Sequence, residues 1–182
     1  MELVQPIRNI EKIEEIKTVL KETGTRNFLL FTMGINTGLR ISDLLKLKVI
    51  DVTGVSHITI KEQKTGKAKR FPLTSSLQQA LQDFAKSKAP NDYLFKSRNG
   101  INKPLSRITA YKIINEACRK CGIKDNVGTH TLRKTFGYHH YQQFHDVAIL
   151  QQILNHSSPS ITLRYIGITQ DNIDATLQQF EL

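Results

Sequence analysis

The sequence predicts a mainly helical domain with one small antiparallel β-hairpin, an α+β arrangement. Three observations support this fold class. Apolar residues recur at steps near 3.6 in several long segments, which is the spacing of amphipathic helices. One short segment instead alternates with the two-residue period of a strand and is followed by a glycine and a second short strand. The 182 residues are enough for one domain with a core that needs no disulfides.

Two helices are predicted at the start of the chain. Apolar side chains from Ile7 to Leu20 lie on one helical face, and Gly24 is suited to end that helix. A second, mostly apolar helix is predicted over 26–36. Gly38 follows it and can take the left-handed conformation that is common at helix ends.

A tight junction is predicted next, around Arg40. Ser42 can cap a short helix over 43–47, because a serine hydroxyl accepts a hydrogen bond from the free amides of a first helical turn. Arg40 is therefore expected between the end of one helix and the start of the next, with backbone on both sides.

A hairpin is predicted over 57–73. Residues 57–61 alternate between apolar and polar, residues 69–73 form a second short strand, and Gly66 permits the turn between them. Lys64 then lies at or near the tip of the hairpin, where a side chain can reach a ligand.

The rest of the chain is predicted to be helical. The predicted helices cover 75–86, 106–121, 129–144, 147–155 and 170–180. Thr129 can cap the third of these, which puts His130 in its first turn and Arg133 on the same face. Residues 157–160 are predicted to form a loop, and 162–165 a short element.

The charge balance favours a polyanionic partner. There are 26 Lys and Arg residues against 16 Asp and Glu, a formal net charge of +10. Nucleic acid and an anionic membrane surface both fit this charge, as does a generally basic soluble protein. No apolar run approaches the roughly 20 residues of a membrane span, and the N-terminus lacks a secretory pattern. We therefore expect a cytoplasmic protein and no membrane partner.

The two cysteines are predicted to be reduced and structural. Cys118 and Cys121 form a Cys-x-x-Cys inside a predicted helix, with no second pair to complete a zinc site. A metal site that borrowed His139, His140 or His145 would match no tetrahedral-site spacing. No metal and no cofactor is expected.

Six residues have the side chains needed to attack a phosphodiester without metal. They are Arg40, Lys64, His130, Arg133, His156 and Tyr165. The reaction requires a nucleophile, a proton donor for the departing oxygen and positive charge around the non-bridging oxygens. Tyr165 can be the nucleophile, and Arg40 and Arg133 can each present a planar fork to the phosphate oxygens.

The other three residues can transfer protons or donate hydrogen bonds. Lys64 can donate to the leaving 5′ oxygen, His130 can accept the tyrosine proton, and His156 can donate a hydrogen bond to the phosphate. Lys67 competes with Lys64, because it lies three residues away on the same turn. Each residue alone also has a structural interpretation, such as a packed tyrosine, a solvated helix face or an arginine that caps carbonyls.

The local sequences around these residues resemble those of the tyrosine recombinases, also called the phage integrase family. The segments are Thr37–Leu45, Lys64–Lys67 followed by Arg70–Leu73, His130–Arg133, Leu154–His156 and Thr162–Tyr165. The resemblance covers nearly the whole chain and implies a tyrosine-recombinase catalytic domain over 1–182. It also implies that the six residues act on DNA in the roles given above.

The resemblance implies a site-specific DNA recombinase or integrase. Tyr165 would form a 3′-phosphotyrosyl link and release a 5′-hydroxyl, and strands would be exchanged in a synaptic tetramer without ATP. The free protein could be monomeric. Asp43 resembles a supporting residue that orients active-site groups. The partner would be double-stranded DNA, with further contacts from Lys67, Lys69, Arg70 and Lys134.

The chain departs from the family pattern in three places. Lys134 follows Arg133 where histidine is frequent, which adds charge near the DNA. Asn155 stands where glycine is usual before the second histidine, and asparagine is the next most tolerant residue at a left-handed helix end. The separate N-terminal helical domain of most relatives is expected to be absent from this chain, which is either an excised fragment or a short member of the family.

Two questions stay open at the level of sequence. A type IB topoisomerase-like activity and a non-catalytic DNA-binding regulator or remnant are the alternatives to a recombinase. In the predicted last helix, Ile173, Leu177 and Phe180 form an apolar stripe. This stripe either packs on its own domain or docks on a neighbouring protomer.

Overall fold

The computed structural model describes residues 4–63, 66, 68–168 and 176–181. In this part of the chain the fold is mainly helical with one two-stranded antiparallel sheet, as predicted. The helices are α1 (Ile10–Thr23), α2 (Thr25–Thr37), α3 (Ile41–Leu44), α4 (Ser75–Ala85), α5 (Arg107–Lys120), α6 (Thr131–Phe144), α7 (Val147–Leu154) and α8 (Pro159–Ile166). The strands are β1 (His57–Lys61) and β2 (Ala68–Pro72), and a 3₁₀ turn covers Val49–Asp51.

Glycines end the first two helices where the sequence predicts. The amide of Gly24 donates to the last carbonyls of α1, and Gly38 ends α2 in the left-handed conformation with φ of 61°. A side chain at Gly38 is also excluded by packing, since a Cβ there would lie 2.4 Å from a ring carbon of Phe136 on α6. The end of α2 and the start of α6 are therefore in direct contact.

The predicted starts of α3 and α6 are wrong. The short helix α3 begins at Ile41, directly after the extended Arg40, and no side chain caps it, so Ser42 is inside the helix. Helix α6 begins at Thr131 with His130 at the position before it, because the Thr131 hydroxyl accepts a hydrogen bond from the amide of Gly128 at 3.0 Å. That turn ends the preceding loop, and Thr129 does not cap the helix as predicted.

Helix α8 begins inside the segment predicted to be a loop. The Ser158 hydroxyl accepts a hydrogen bond from the amide of Ile161, and Pro159 occupies the first helical turn. Both features favour a helix start. Of the predicted helix over 170–180, residues 170–175 lie outside the described part, and 176–178 form a helical turn.

The hairpin pairs β1 with β2 in a regular antiparallel register that joins Ile58 to Phe71 and Ile60 to Lys69. Ile58 and Phe71 are buried. Side chains alternate between the two faces of a strand. Lys69, two residues before Phe71, and Glu62, four residues after Ile58, are therefore directed toward the protein interior as well.

Three hydrophobic clusters form the core. The first lies between α2, α3, α4 and the hairpin, and the second joins α1 to α2, α5 and the start of α6. The third, which lies under α7 and α8, is built on Leu150, Leu154 and Ile166. No helix in the described residues is long and apolar enough to cross a membrane.

Candidate active site

The candidate site lies where the end of α2, the start of α6, the end of α7 and helix α8 meet. Helix packing brings α8 close to α6, because Gly137 on α6 has no side chain to keep Ile166 away. A Cβ at Gly137 would lie 2.7 Å from Cγ2 of Ile166. This close approach carries Tyr165, the residue before Ile166, to the first turn of α6.

Arg133 is a buried residue at the centre of the site and is 3% exposed. Its guanidinium donates to the carbonyl of Gly38 at the end of α2 and to the carbonyl of Leu154 at the end of α7. Burial lowers the pKa of Arg133, and the neighbouring Tyr165 opposes that shift. A guanidinium stays protonated in proteins, so Arg133 supplies a fixed positive charge.

Tyr165 is half-buried beside three of the predicted site residues. Its hydroxyl lies 3.5 Å from Nδ1 of His130. The ring packs edge-on against His156 with centroids 4.9 Å apart. Burial raises the pKa of Tyr165, while Arg133 and Arg40 act in the opposite direction. The phenol is therefore protonated at neutral pH and needs a base before it can attack.

His156 follows α7 and is neutral at physiological pH. Burial, the largest cause, and the positive charges of Arg133, Arg40 and Lys69 together lower its pKa to about 4. Nδ1 lies 3.1 Å from the hydroxyl of Thr162, a residue that is completely buried on α8. The hydroxyl also lies 3.3 Å from the carbonyl of Ser158, its alternative acceptor. In the tautomer in which the hydroxyl donates to Nδ1, the ring proton is on Nε2 and can be donated to a ligand.

Arg40 lies between α2 and α3 in extended backbone, at the predicted junction. Its Nη1 donates to Oε1 of Glu62 at 2.7 Å, and its side chain is 16% exposed. Arg40 also lines a cleft of about 610 Å³, together with His130 and with the basic residues Lys46 and Arg107. The sequence did not point to Lys46 or Arg107.

Glu62, which the sequence analysis missed, is buried next to these cations. It is 1% exposed, and its Oε1 lies 3.4 Å from Nζ of Lys69 in addition to the bond with Arg40. The amide Nδ2 of Asn155 donates to Oε2 of Glu62 at 3.5 Å. The period-2 pattern of β1 was the available signal, because Ile58, Ile60 and Glu62 fall on one face.

Lys64 and its competitor Lys67 lie outside the described residues. The backbone on either side of Lys64 is anchored at the site. Oδ1 of the buried Asp43 accepts from the amide of Gln63 at 3.0 Å, and the carbonyl of Glu62 accepts from the amide of Gly66 at 2.8 Å. Asp43 therefore joins the helix that follows Arg40 to the hairpin. Its second oxygen, Oδ2, is buried and has no hydrogen-bond partner among the described residues.

The remaining predicted DNA contacts differ in exposure. Arg70 is exposed, and its guanidinium lies 3.2 Å from Nδ1 of His57. Lys69 is directed inward and donates to the carbonyl of Ile153 at the end of α7. Lys134 is 8% exposed, with its ammonium 5.1 Å from the centre of the Tyr165 ring. Burial lowers the pKa of both lysines.

The cysteines lie in the cluster of α1 and α5, away from this site, and the histidines at 139 and 140 make contacts of their own. Cys118 and Cys121 are buried free thiols, and burial raises the pKa of Cys118 to about 12. His139 contacts the carbonyl of Ile7 at 2.9 Å, and the His140 ring packs between Phe136 and Phe144. In the described residues, no group of three or more His, Cys, Asp and Glu residues is arranged to hold a metal ion.

Comparison with known sequences finds a family match and relatives that align over most of the chain. Residues 9–171 match the phage integrase family. The chain is 51% identical over 180 residues to the probable integrase/recombinase YoeC of Bacillus subtilis, which covers 99% of this chain and 98% of YoeC. It is 34% identical over 154 residues to a tyrosine recombinase of Pseudothermotoga lettingae, which covers 82% of this chain and 52% of that protein.

Solved structures share the fold. The crystal structure of XerA recombinase superposes with a TM-score of 0.77 at 24% identity, over 98% of this chain and 65% of that one. The XerH site-specific recombinase bound to a palindromic difH substrate gives a TM-score of 0.74 at 24% identity, over 97% of this chain and 53% of that one. The chain thus spans about the full length of YoeC but only half to two thirds of the other three proteins.

Proposed function

Since this chain belongs to the phage integrase family, we propose that it is a site-specific DNA recombinase that cuts and rejoins strands through a covalent 3′-phosphotyrosyl intermediate. One observation carries this proposal most directly. The Tyr165 hydroxyl on α8 lies 3.5 Å from Nδ1 of His130 and beside Arg133, both at the start of α6. A nucleophile, a base and a fixed positive charge therefore share one site.

The proposed reaction begins with attack of the Tyr165 oxygen on a DNA phosphorus atom. As the new P–O bond forms, the phenol proton passes to Nδ1 of His130. The ring proton that His130 already carried stays on Nε2, so the imidazole becomes positively charged. The bond from phosphorus to the 5′ oxygen breaks, and Lys64 gives that oxygen a proton. The 5′-hydroxyl of another strand reverses these steps and releases Tyr165, so that neither ATP nor a metal ion is consumed.

The positive side chains are proposed to neutralise the phosphate. Arg133 is held by two backbone carbonyls, so it needs no reorganisation when charge builds up on the phosphate oxygens. Arg40 lines the cleft together with His130. Neutral His156 donates from Nε2 to a non-bridging oxygen, and Asp43 orients the hairpin that carries Lys64.

A covalent adduct tests this mechanism. The purified protein is incubated with a pool of nicked duplexes of randomised sequence, and protein that carries DNA is detected on denaturing gels. We expect an adduct with the wild type and with Tyr141→Phe, a matched change of a tyrosine on α6, and none with Tyr165→Phe. An adduct that survives Tyr165→Phe would contradict the assignment, and no adduct from any pool would favour a DNA-binding protein without cleavage activity.

Double-stranded DNA is the proposed substrate and partner, which places the protein in the cytoplasm with the DNA it acts on. The net charge of +10 and the cleft lined by Arg40, Lys46 and Arg107 fit a run of phosphates, and the related XerH structure holds its difH substrate. Duplex affinity should fall linearly with the logarithm of salt concentration. Arg107→Ala should reduce that slope by about one, whereas Lys86→Ala, on the exposed end of α4, should leave it unchanged.

A tetramer on DNA is the proposed active assembly, formed from protein that is monomeric when free. The described end of the chain supports a contact between protomers, because Leu177 and Phe180 are 64% and 66% exposed instead of packed on their own domain. Deletion of the residues after Gly167 should abolish cooperative binding to DNA. Unchanged cooperativity would reject this contact, and plasmid relaxation without strand exchange would support a topoisomerase-like activity instead.

A further inference from the structure

A buried carboxylate lies among the cations of the candidate site. Glu62 is almost completely inaccessible and contacts Arg40, Lys69 and Asn155 through its two oxygens. Burying a carboxylate is costly unless cations and hydrogen-bond donors surround it. Because these partners come from the α2–α3 junction, β2 and the end of α7, Glu62 connects the three segments that surround the phosphate site.

The contact with Glu62 leaves most of the Arg40 guanidinium available. A guanidinium has five N–H donors in a planar fork, and Glu62 is bonded to Nη1. Arg40 at the same time lines the cleft that contains His130. A carboxylate bonded to Nη1 restricts rotation of the fork, so that the remaining donors are presented to a phosphate in the cleft.

Lys69 is fixed by the same carboxylate. Its ammonium lies between Glu62 Oε1 and the carbonyl of Ile153, and it is one of the three cations that lower the pKa of His156. The hairpin is thereby held against the end of α7, one turn from His156. The distance between the hairpin and His156 then depends on Glu62.

Asn155 has a conformation that few side chains tolerate, with φ of 52° in the left-handed region. Glycine adopts this conformation without strain, yet here the residue is an asparagine whose amide donates to Glu62. The side chain therefore adds a contact that glycine could not make. Asn155 and Glu62 form a matched pair across the hairpin and α7.

We infer that Glu62 is a positioning residue for strand cleavage, which holds Arg40, Lys69 and Asn155 around the phosphate site. This inference rests on the proposed recombinase function and adds a residue to its machinery. Glu62 does not contact the reacting phosphate in this scheme. It orients the groups that do, and its negative charge offsets part of the positive charge that Arg40, Arg133 and Lys69 bring together.

The test compares Glu62→Gln with the wild type in DNA binding and in adduct formation. Glutamine keeps the shape and an acceptor oxygen for Arg40 but loses the charge, and it turns an NH₂ group toward Lys69 or Asn155. We expect duplex affinity to be unchanged or higher, because one negative charge is removed, while adduct formation falls about 100-fold, as for a misplaced reacting group. Glu11→Gln removes a carboxylate from the exposed start of α1 and should leave adduct formation unchanged.

A charge exchange provides the rescue. Glu62→Gln combined with Asn155→Asp restores a carboxylate and an amide in reversed positions, so we expect the rate of adduct formation to recover about 10-fold over Glu62→Gln alone. Asn155→Asp alone puts two carboxylates together and should be slower than the wild type. A purely structural role would instead lower affinity, adduct formation and thermal stability together, with no rescue by the exchange, and this result would overturn the inference.

A second measurement does not depend on cleavage. In the free protein, the guanidinium NMR signals of Arg40 should show restricted rotation in the wild type and fast rotation in Glu62→Gln, while those of Arg133 remain unchanged. Arg40 signals that do not respond to Glu62→Gln would overturn the inference. If the wild type forms no adduct on any duplex pool, the proposed function fails, and the Arg40 signals still decide whether Glu62 positions this side chain.

Discussion

The two sides of the candidate site rest on hydrophobic clusters of different extent. Arg40 and the hairpin belong to the cluster between α2, α3 and α4, which contains many fully buried side chains. His156 and Tyr165 belong to α7 and α8, which pack on Leu150, Leu154 and Ile166 and on partly buried neighbours. Local stability follows the number of buried apolar contacts. The side that carries Tyr165, the proposed nucleophile, should therefore open more easily than the side that carries Arg40.

Arg133 is the direct link between these two sides. Its guanidinium donates to Gly38 on the first side and to Leu154 on the second. The same residue that would neutralise the phosphate thus also sets the position of α7 relative to α2. Opening of α7 and α8 would therefore break the bond between Arg133 and Leu154 and leave the bond to Gly38 in place, so the proposed nucleophile and this arginine are coupled.

The largest effect on folding is expected in the extensive cluster. Leu44 is fully buried beside Arg40, and Leu44→Ala should lower the free energy of unfolding by about 2–5 kcal/mol, because it leaves a cavity. Urea denaturation measures this loss, and hydrogen exchange should become faster throughout α2 and α3. Leu177→Ala, at an exposed position, should stay within about 0.5 kcal/mol of the wild type. A similar loss in both variants would contradict the assignment of the main core.

A more local effect is expected between α6 and α8. Gly137→Ala introduces a Cβ at 2.7 Å from Ile166, so α8 must shift, at a cost of about 1–3 kcal/mol. Adduct formation should fall about 100-fold through misplacement of Tyr165, and hydrogen exchange should increase in α8 more than in α2. Removing the clashing methyl group with Ile166→Ala in the same chain should return part of the rate. Equal changes in both helices would refute the separate behaviour of α8.

The two sides are also coupled by charge, which predicts a pH dependence of stability. His156 has a pKa of about 4 in the folded protein, against about 6.5 when unfolded. The unfolded chain therefore binds a proton that the folded protein does not, and the protein loses stability as pH falls from about 6.5 to 4. The expected loss is about 1–2 kcal/mol after allowance for solvent screening of a partly exposed group.

Urea denaturation of His156→Gln over the same pH range measures this contribution. The stability of the variant should depend less on pH between about 4 and 6.5, whereas His145→Gln, at the exposed end of α6, should keep the slope of the wild type. An unchanged slope in His156→Gln would show that burial and the charges of Arg133, Arg40 and Lys69 do not lower the pKa of this ring.

The smallest effect is expected at the hydroxyl that orients His156. Thr162→Val keeps the buried volume but removes the partner of Nδ1, so the ring proton is no longer directed to Nε2. Adduct formation should fall about 10-fold, the value of one hydrogen bond, with little change in duplex affinity. Thr162→Ser keeps the hydroxyl and should be close to the wild type, and a loss of the same size in both variants would indicate a packing effect instead.

Much of the fold follows from local sequence signals. The periodicity of α1 predicted that helix and its end at Gly24, although α1 begins at Ile10 and not at Ile7. The alternation in β1 and the glycine at 38 predicted their elements closely, since each signal acts within a few positions of the chain. The start of α8 was missed, although Ser158 and Pro159 form a helix-start pattern, because three serines beside a proline are also typical of loops. The start of α6 depends on the turn in which the amide of Gly128 donates to the hydroxyl of Thr131. The sequence offers threonines at both 129 and 131 as caps and does not show which of them forms this bond.

The site was only partly predictable. Tyr165, Arg133 and His156 were found through their local segments, and the structure brings them together with His130 and Arg40. Glu62 was missed because an acidic residue between Lys61 and Gln63 has the composition of a solvated turn, and only burial by α7 and the hairpin turns it into a counter-ion. Thr162 was likewise treated only as a member of the segment before Tyr165, whereas its role follows from its contact with His156.

The proposed reaction depends most on the identity of the attacking residue, which mass spectrometry of the trapped adduct can determine. After digestion of the protein and of the bound strand, the peptide that contains Tyr165 is expected to carry a nucleotide on the tyrosine oxygen through a 3′-phosphate. The unmodified form of this peptide should decrease in step with adduct formation. A nucleotide on His130 or on another tyrosine, or a 5′-phosphate linkage to Tyr165, would contradict the proposed reaction.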